Sequence, residues 1–129
     1  DGKDTIIARF GNGKEAQLMS LASSGTRSLM LFFYWSIFAF DTVSLLFIDE
    51  FDAYIHFESS RAILERLNNV PFQVMLTTHN TYLMQNALTR PDACFLLGGN
   101  QMVPLCDATD KEIRLAHNLE KMYTHGVFR

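Results

Sequence analysis

Ser44-Leu45-Leu46-Phe47-Ile48-Asp49-Glu50 is the stretch that most narrows what this chain can become. Parallel strands buried on both faces read as continuous apolar runs of this kind, without polar alternation. The run ends abruptly in two adjacent carboxylates. Open α/β sheets bind ligands at the carboxyl ends of their strands. Two acids at that place can hold a divalent cation and activate a water. A solvated strand end, or an acid capping the next helix, is the plainer alternative.

Composition limits the rest. The chain has 129 residues, 48% of them apolar, which is enough for one domain with a real core rather than a disordered segment. A net charge of -3 gives no overall attraction to nucleic acid or acidic lipid, although a local basic patch is not excluded by it. Cys94 and Cys106 match no metal or redox spacing and read as small hydrophobes in a reducing cytosol. No secretory leader is recognisable, so a cytoplasmic location is expected. Because the chain starts at Asp1 without an initiator Met, a longer parent is expected too. The apolar segment at residues 29–40 falls short of the roughly 20 residues that span a bilayer and reads as a buried core helix, with Trp35 in the core and no membrane partner.

Residues 5–10 look like a strand, Gly11-Asn12-Gly13-Lys14 like a hairpin turn, and residues 15–19 like the returning strand. Residues 20–25 are small and polar, hence a loop, and Thr26 can cap a helix over 27–40. Residues 43–48 form the acid-tipped strand. An amphipathic helix over 58–67 carries Ile63, Leu64 and Leu67 on one stripe, and a second apolar strand follows at 72–76. A short helix is expected over 81–88, and a hairpin over 93–105 turns at Gly98-Gly99-Asn100. A final helix is expected over 111–123, with Gly126 at or after its end. The strand–helix–strand order in the middle makes the two apolar strands parallel, so the loops after both open on one edge. Asp49 and Glu50 then meet Thr78-His79-Asn80.

His79 can donate a hydrogen bond to a phosphate oxygen or hold an attacking water. Ala22-Ser23-Ser24-Gly25-Thr26 lies before the apolar helix, where small residues admit a ligand to the backbone and a helix N-terminus offers N–H groups to an anion. A lone His is more often structural, and such a loop is by itself more often an ordinary cap.

In combination and in this order, these elements resemble the C-terminal half of an ABC-type ATPase domain. Ala22 to Thr26 is similar to the signature motif, usually Leu-Ser-Gly-Gly-Gln, with Ser23 and Gly25 on its Ser and second Gly. Leu45 to Glu50 resembles the Walker B strand, residues 51–56 fall on the D-loop, and His79 on the switch histidine. The nearest likeness is to non-transporter, AAA-type ATPases related to SMC and RecF, including OLD-like and anticodon-nuclease-associated ATPases of bacterial phage defence. The ending from Arg114 to Tyr123 is similar to their C-terminal segment.

This resemblance implies an α/β, P-loop NTPase-like fold with a parallel sheet core flanked by helices, residues 1–129 forming the C-terminal lobe. It implies ATP and Mg²⁺ as ligands, with Asp49 holding Mg²⁺ through water, Glu50 as general base and His79 sensing the γ-phosphate. Ser23, Ser24 and Gly25 would contact ATP bound to the opposite subunit of a homodimer. An N-terminal Walker A lobe of the same protein would complete the site, and an effector or nucleic acid would act through the parent.

Departures from the family pattern matter. No Gly-x-x-x-x-Gly-Lys-Ser/Thr occurs, and Gly11-Asn12-Gly13-Lys14 is followed by Glu15 in a hairpin context. The Q-loop is not seen either. Phe51 replaces the usual Pro after the Walker B Glu, and His56 replaces the D-loop Asp, leaving its role open. Asp52 either supports the D-loop or is solvated. Arg114, His117 and Lys121 form a small basic face or a solvated one. A DNA-repair or chromosome ATPase of SMC/RecF type and a non-catalytic interaction module stand as alternatives to the phage-defence ATPase.

Overall fold

In the computed structural model, which describes residues 5–128, the chain forms a mixed α/β arrangement with three small sheets. The ends of the 1–129 span, residues 1–4 and 129, lie outside the described residues. The first sheet is a hairpin of β1 (Ile7–Arg9) and β2 (Glu15–Gln17), in which Ala8 pairs with Ala16. Its turn is the expected one: Gly13 takes φ +79, and the Asn12 side chain accepts the Lys14 N–H at 3.1 Å. The β-turn runs from Phe10 to Gly13, whose N–H donates to Phe10 O at 2.9 Å, and Lys14 O accepts the Phe10 N–H at 2.9 Å.

The returning strand stops two residues earlier than the apolar pattern suggested. Helix α1 (Leu18–Leu21) makes one turn there, and α2 (Ser24–Phe38) follows. Its N-cap is Ser23 and not Thr26: the Ser23 hydroxyl accepts the Thr26 N–H at 3.1 Å and shares a 2.9 Å hydrogen bond with the Thr26 hydroxyl. The helix consequently begins three residues before the expected position and takes Ser24 and Gly25 into its first turn.

The central unit is β3 (Leu45–Ile48), α3 (Phe57–Leu67) and β4 (Gln73–Leu76), with β3 and β4 parallel in the register Leu45↔Gln73 to Ile48↔Leu76. Helix α3 packs its apolar stripe on one face of this pair. Ile63 and Leu67 join Phe40, Leu46, Val74 and Leu76, while Leu64 meets Leu83 and Leu88. The carbonyl of His56, the N-cap residue of α3, accepts from the backbone N–H and hydroxyl of the buried Ser60.

Two burial expectations are corrected here. The opposite face of the parallel pair is open: Leu45, Phe47 (58% exposed) and Met75 reach solvent. Helix α2 has no buried residue at all, with Phe33 at 65%, Phe38 at 67% and Trp35 at 49% exposed. Only part of α2 docks, through Phe32, whose ring meets Phe40 edge-on at 5.9 Å. An apolar run identifies surface that must be covered, but not whether the same chain supplies the cover. No helix among the described residues is long and apolar enough to cross a membrane.

Residues 81–88 form a 3₁₀ turn (Thr81–Leu83) and further turns instead of a helix, the Asn80 side chain accepting the Tyr82 N–H at 3.2 Å. A second 3₁₀ turn (Pro91–Ala93) leads to β5 (Phe95–Gly98) and β6 (Gln101–Pro104), paired antiparallel around Gly99 and Asn100, which take φ +56 and +65. Such a two-residue turn with both φ positive suits the twist of a hairpin.

The expected helix over 111–123 shrinks to α4 (Leu119–Thr124). Three side chains outcompete helical pairing. The Asn86 amide donates to the carbonyls of Arg114, Leu115 and His117 at 3.3, 2.9 and 3.0 Å. The His117 ring accepts the Arg114 N–H, and the Asn118 side chain accepts the Lys121 N–H, which makes Asn118 a cap. Gly126, at φ +67, closes α4 with Val127 N–H donating to Met122 O, a Schellman ending. Leu105, Ala108, Leu119 and Phe128 form the core of this C-terminal part, with the half-buried Cys94 against it, while Cys106 is exposed.

Candidate functional site

Because β3 and β4 run parallel and in register, the residues after Ile48 and after Leu76 leave the sheet at the same edge. The ladder continues past the strands: Thr77 N–H donates to Ile48 O at 3.0 Å, and Phe51 N–H to Thr77 O at 3.1 Å. Between these two bonds the chain carries Asp49 and Glu50.

Glu50 has a left-handed backbone, φ +44, a conformation that costs a residue with a Cβ about 1–2 kcal/mol. It turns the chain sharply, and Ala53 N–H closes the turn on Glu50 O at 3.0 Å. The side chain ends with Oε1 at 3.5 Å from Nε2 of His79, although His79 is 91% exposed. Glu50 and His79 line a shallow, open depression together with Asp52, Ala53 and Asn80.

Two threonines organise this edge. The Thr77 hydroxyl donates to Asp49 Oδ1 and accepts the Glu50 N–H at 2.7 Å. The Thr78 hydroxyl donates to Asp52 Oδ1 at 2.5 Å and accepts the Asn80 N–H at 2.9 Å. Asp52 thus ties the loop after β3 to the loop that carries His79. Sequence reasoning gave Thr77 and Thr78 no role; their position immediately before His79, at the end of a strand paired with the acid-tipped one, was the available signal.

Glu50 and His79 are therefore brought together as their strand positions suggested, while Asp49, next to Glu50 in the chain, is held by Thr77. The residues Ser23, Ser24 and Gly25 do not line that depression, and Gly25 meets the segment beyond the carboxylates. A Cβ built on Gly25 would lie 2.2 Å from the Tyr54 carbonyl oxygen, so α2 and residues 54–55 can approach this closely only because position 25 is glycine. The Ser23 hydroxyl is engaged as the α2 cap.

Among the described residues no three or more His, Cys, Asp or Glu side chains cluster as a metal cage. Mg²⁺ does not need one, since it keeps several waters and takes one or two carboxylates plus substrate phosphates. One oxygen of Asp49 is engaged by Thr77 and the residue is exposed, so a single carboxylate with a free oxygen is available, which fits such a partly hydrated ion. Away from the site, the hydrogen bond from Arg90 holds the Asp92 carboxyl below its usual range, and burial pushes the Cys94 thiol up. The basic face suggested for the C-terminus is partly neutralised, because Arg114 pairs with Glu112 at 2.9 Å.

A parallel pair with acids at its carboxyl end, crossed over by a helix, is consistent with the AAA-type, P-loop ATPase-like domain that the family match supports. Residues 5–85, well over half of the chain, match the family described as "AAA domain, putative AbiEii toxin, Type IV TA system", and the chain belongs to that family. The matched segment contains Ser23, Ser24, Gly25, Asp49, Glu50 and His79. No curated protein and no solved structure matches the chain.

Proposed function

We propose that the chain is the lobe of an ATP-hydrolysing ABC-type, AAA-class ATPase that supplies the Walker B acids, the switch histidine and the signature segment. The observation that carries this reading is the 3.5 Å approach of Glu50 and His79 beside Asp49, at the shared edge of two parallel strands. In this reading Glu50 accepts the proton of the attacking water, and the His79 ring donates to a γ-phosphate oxygen, giving ADP and phosphate. Asp49 holds the water shell of Mg²⁺. When bound, the ion offsets charge on the β- and γ-phosphates. Ser24 and Gly25, as first-turn residues of α2, offer N–H groups without intrahelical partners to the ATP of an opposing subunit.

The sequence has no Gly-x-x-x-x-Gly-Lys-Ser/Thr, so the phosphate cradle and its Lys come from an N-terminal Walker A lobe of the same protein. The family description, with its toxin and type IV TA system, supports a setting in bacterial defence, with an effector reached through the parent.

In the ATPase completed by that lobe, Glu50→Gln lowers steady-state phosphate release by about 10²–10⁴-fold while binding of a fluorescent ATP analogue is retained. Unchanged turnover removes Glu50 as the base. The open apolar faces of α2 and β3 favour a second reading, an interaction module that pairs with another ATPase and hydrolyses nothing itself. Under that reading, wild type and Glu50→Gln assemblies turn over ATP equally.

A further inference from the structure

We infer that Thr77 is a positioning residue of this site, holding Glu50 in its left-handed backbone and fixing the direction of the Asp49 carboxylate through one hydroxyl. The inference rests on the reading of Glu50 as the base.

Thr77 makes hydrogen bonds to four consecutive residues, from the end of β3 into the loop after it: its N–H to Ile48 O, its hydroxyl to Asp49 Oδ1, its hydroxyl from Glu50 N–H, and its carbonyl from Phe51 N–H. The two main-chain bonds extend the parallel ladder and survive substitution of the side chain. The two side-chain bonds depend on the hydroxyl, which has one proton to give and lone pairs to receive, and so serves both partners at once. A left-handed φ at a residue with a Cβ persists only where its surroundings over-determine it. At Glu50 the anchors are the Ala53 N–H on its carbonyl and the Thr77 hydroxyl on its N–H. Without the hydroxyl, water can satisfy the exposed Glu50 N–H and Asp49 carboxylate. The fold then loses little, but Glu50 is free to return to a negative φ, which swings its side chain away from His79. The expected consequence is a defect in chemistry rather than in nucleotide affinity.

Thr77→Val keeps the β-branched shape and removes both side-chain bonds; Thr77→Ser keeps the hydroxyl. In the ATPase assembled with its Walker A lobe, Thr77→Val should lower kcat at least tenfold with KM for ATP within twofold of wild type. Thr77→Ser should return kcat to within about threefold of wild type. A kcat unaffected by Thr77→Val, or a Ser variant as slow as the Val variant, overturns the assignment.

A second measurement needs no turnover. Glycine at position 50 relieves the left-handed strain, so Glu50→Gly should raise the urea midpoint of the 129-residue chain. In the Thr77→Val background, where Glu50 has already relaxed, the rise should be smaller, as a double-mutant cycle reads directly. Equal rises in the two backgrounds overturn the clamp. If the wild-type assembly hydrolyses no ATP, it is the base reading that fails, and the cycle alone decides whether Thr77 holds Glu50.

Discussion

Gly25 illustrates how one absent methyl group can set the spacing of two segments of the chain. Its Cα faces the Tyr54 carbonyl so closely that a Cβ would stand 2.2 Å from the oxygen, a backbone atom that cannot rotate away. Gly25→Ala therefore forces α2 and the loop after Glu50 apart. We expect a loss of about 1–3 kcal/mol in urea unfolding, the usual cost of overpacking. An unchanged midpoint would show that the loop shifts freely. The same residue reads in sequence as a ligand-approach glycine, and the structure adds a close internal neighbour on its Cα side. The first turn of α2 thus meets the loop beyond Glu50 at its backbone.

At the scale of elements, α3 and α2 invite opposite expectations although both are rich in apolar residues. Leu67 of α3 lies in the core with Ile63 and Phe40, and Leu67→Ala should cost about 2–5 kcal/mol. Phe33 of α2 is mostly exposed, and Phe33→Ser should change stability by no more than about 0.5 kcal/mol. Urea denaturation of the two variants checks both; a large loss for Phe33→Ser would mean that α2 packs in solution.

Elements specified by local chemistry were legible in sequence. Gly13, and Gly99 with Asn100, supply the positive φ values their turns require, and the stripe of Ile63, Leu64 and Leu67 defines the buried face of α3. The parallel strands and the meeting of Asp49, Glu50 and His79 at one edge followed from element order alone. Elements decided by distant partners were not legible. The segment 111–118 has helix-forming residues but gives three of its carbonyls to Asn86, a choice no local pattern displays. Thr77 was equally hidden, because its role exists only once β3 lies beside β4.

For the whole molecule the dominant fact is unfinished burial. The parallel pair has two strands, one apolar face turned to solvent, and a helix beside it whose aromatic residues are largely exposed. Contiguous apolar surface of this kind marks an interaction site or an aggregation liability. The 129-residue chain alone should self-associate as concentration rises and should bind an apolar reporter dye. Replacing Phe33, Phe38 and Phe47 together by Ser should suppress both without unfolding the domain. Sedimentation velocity across a concentration series is the direct check, and a wild-type chain that stays monomeric at high concentration would speak against unmet burial.

The openness around His79 has a consequence for energetics. With the imidazole almost wholly hydrated, Glu50 and His79 act in a medium whose dielectric constant is near that of bulk water. A body laid over that edge, lowering the effective constant from about 80 to about 20, strengthens each electrostatic interaction there about fourfold without moving a side chain. Expulsion of solvent would by itself turn a weak, screened pair of groups into a strong one, so that assembly and chemical competence become a single event.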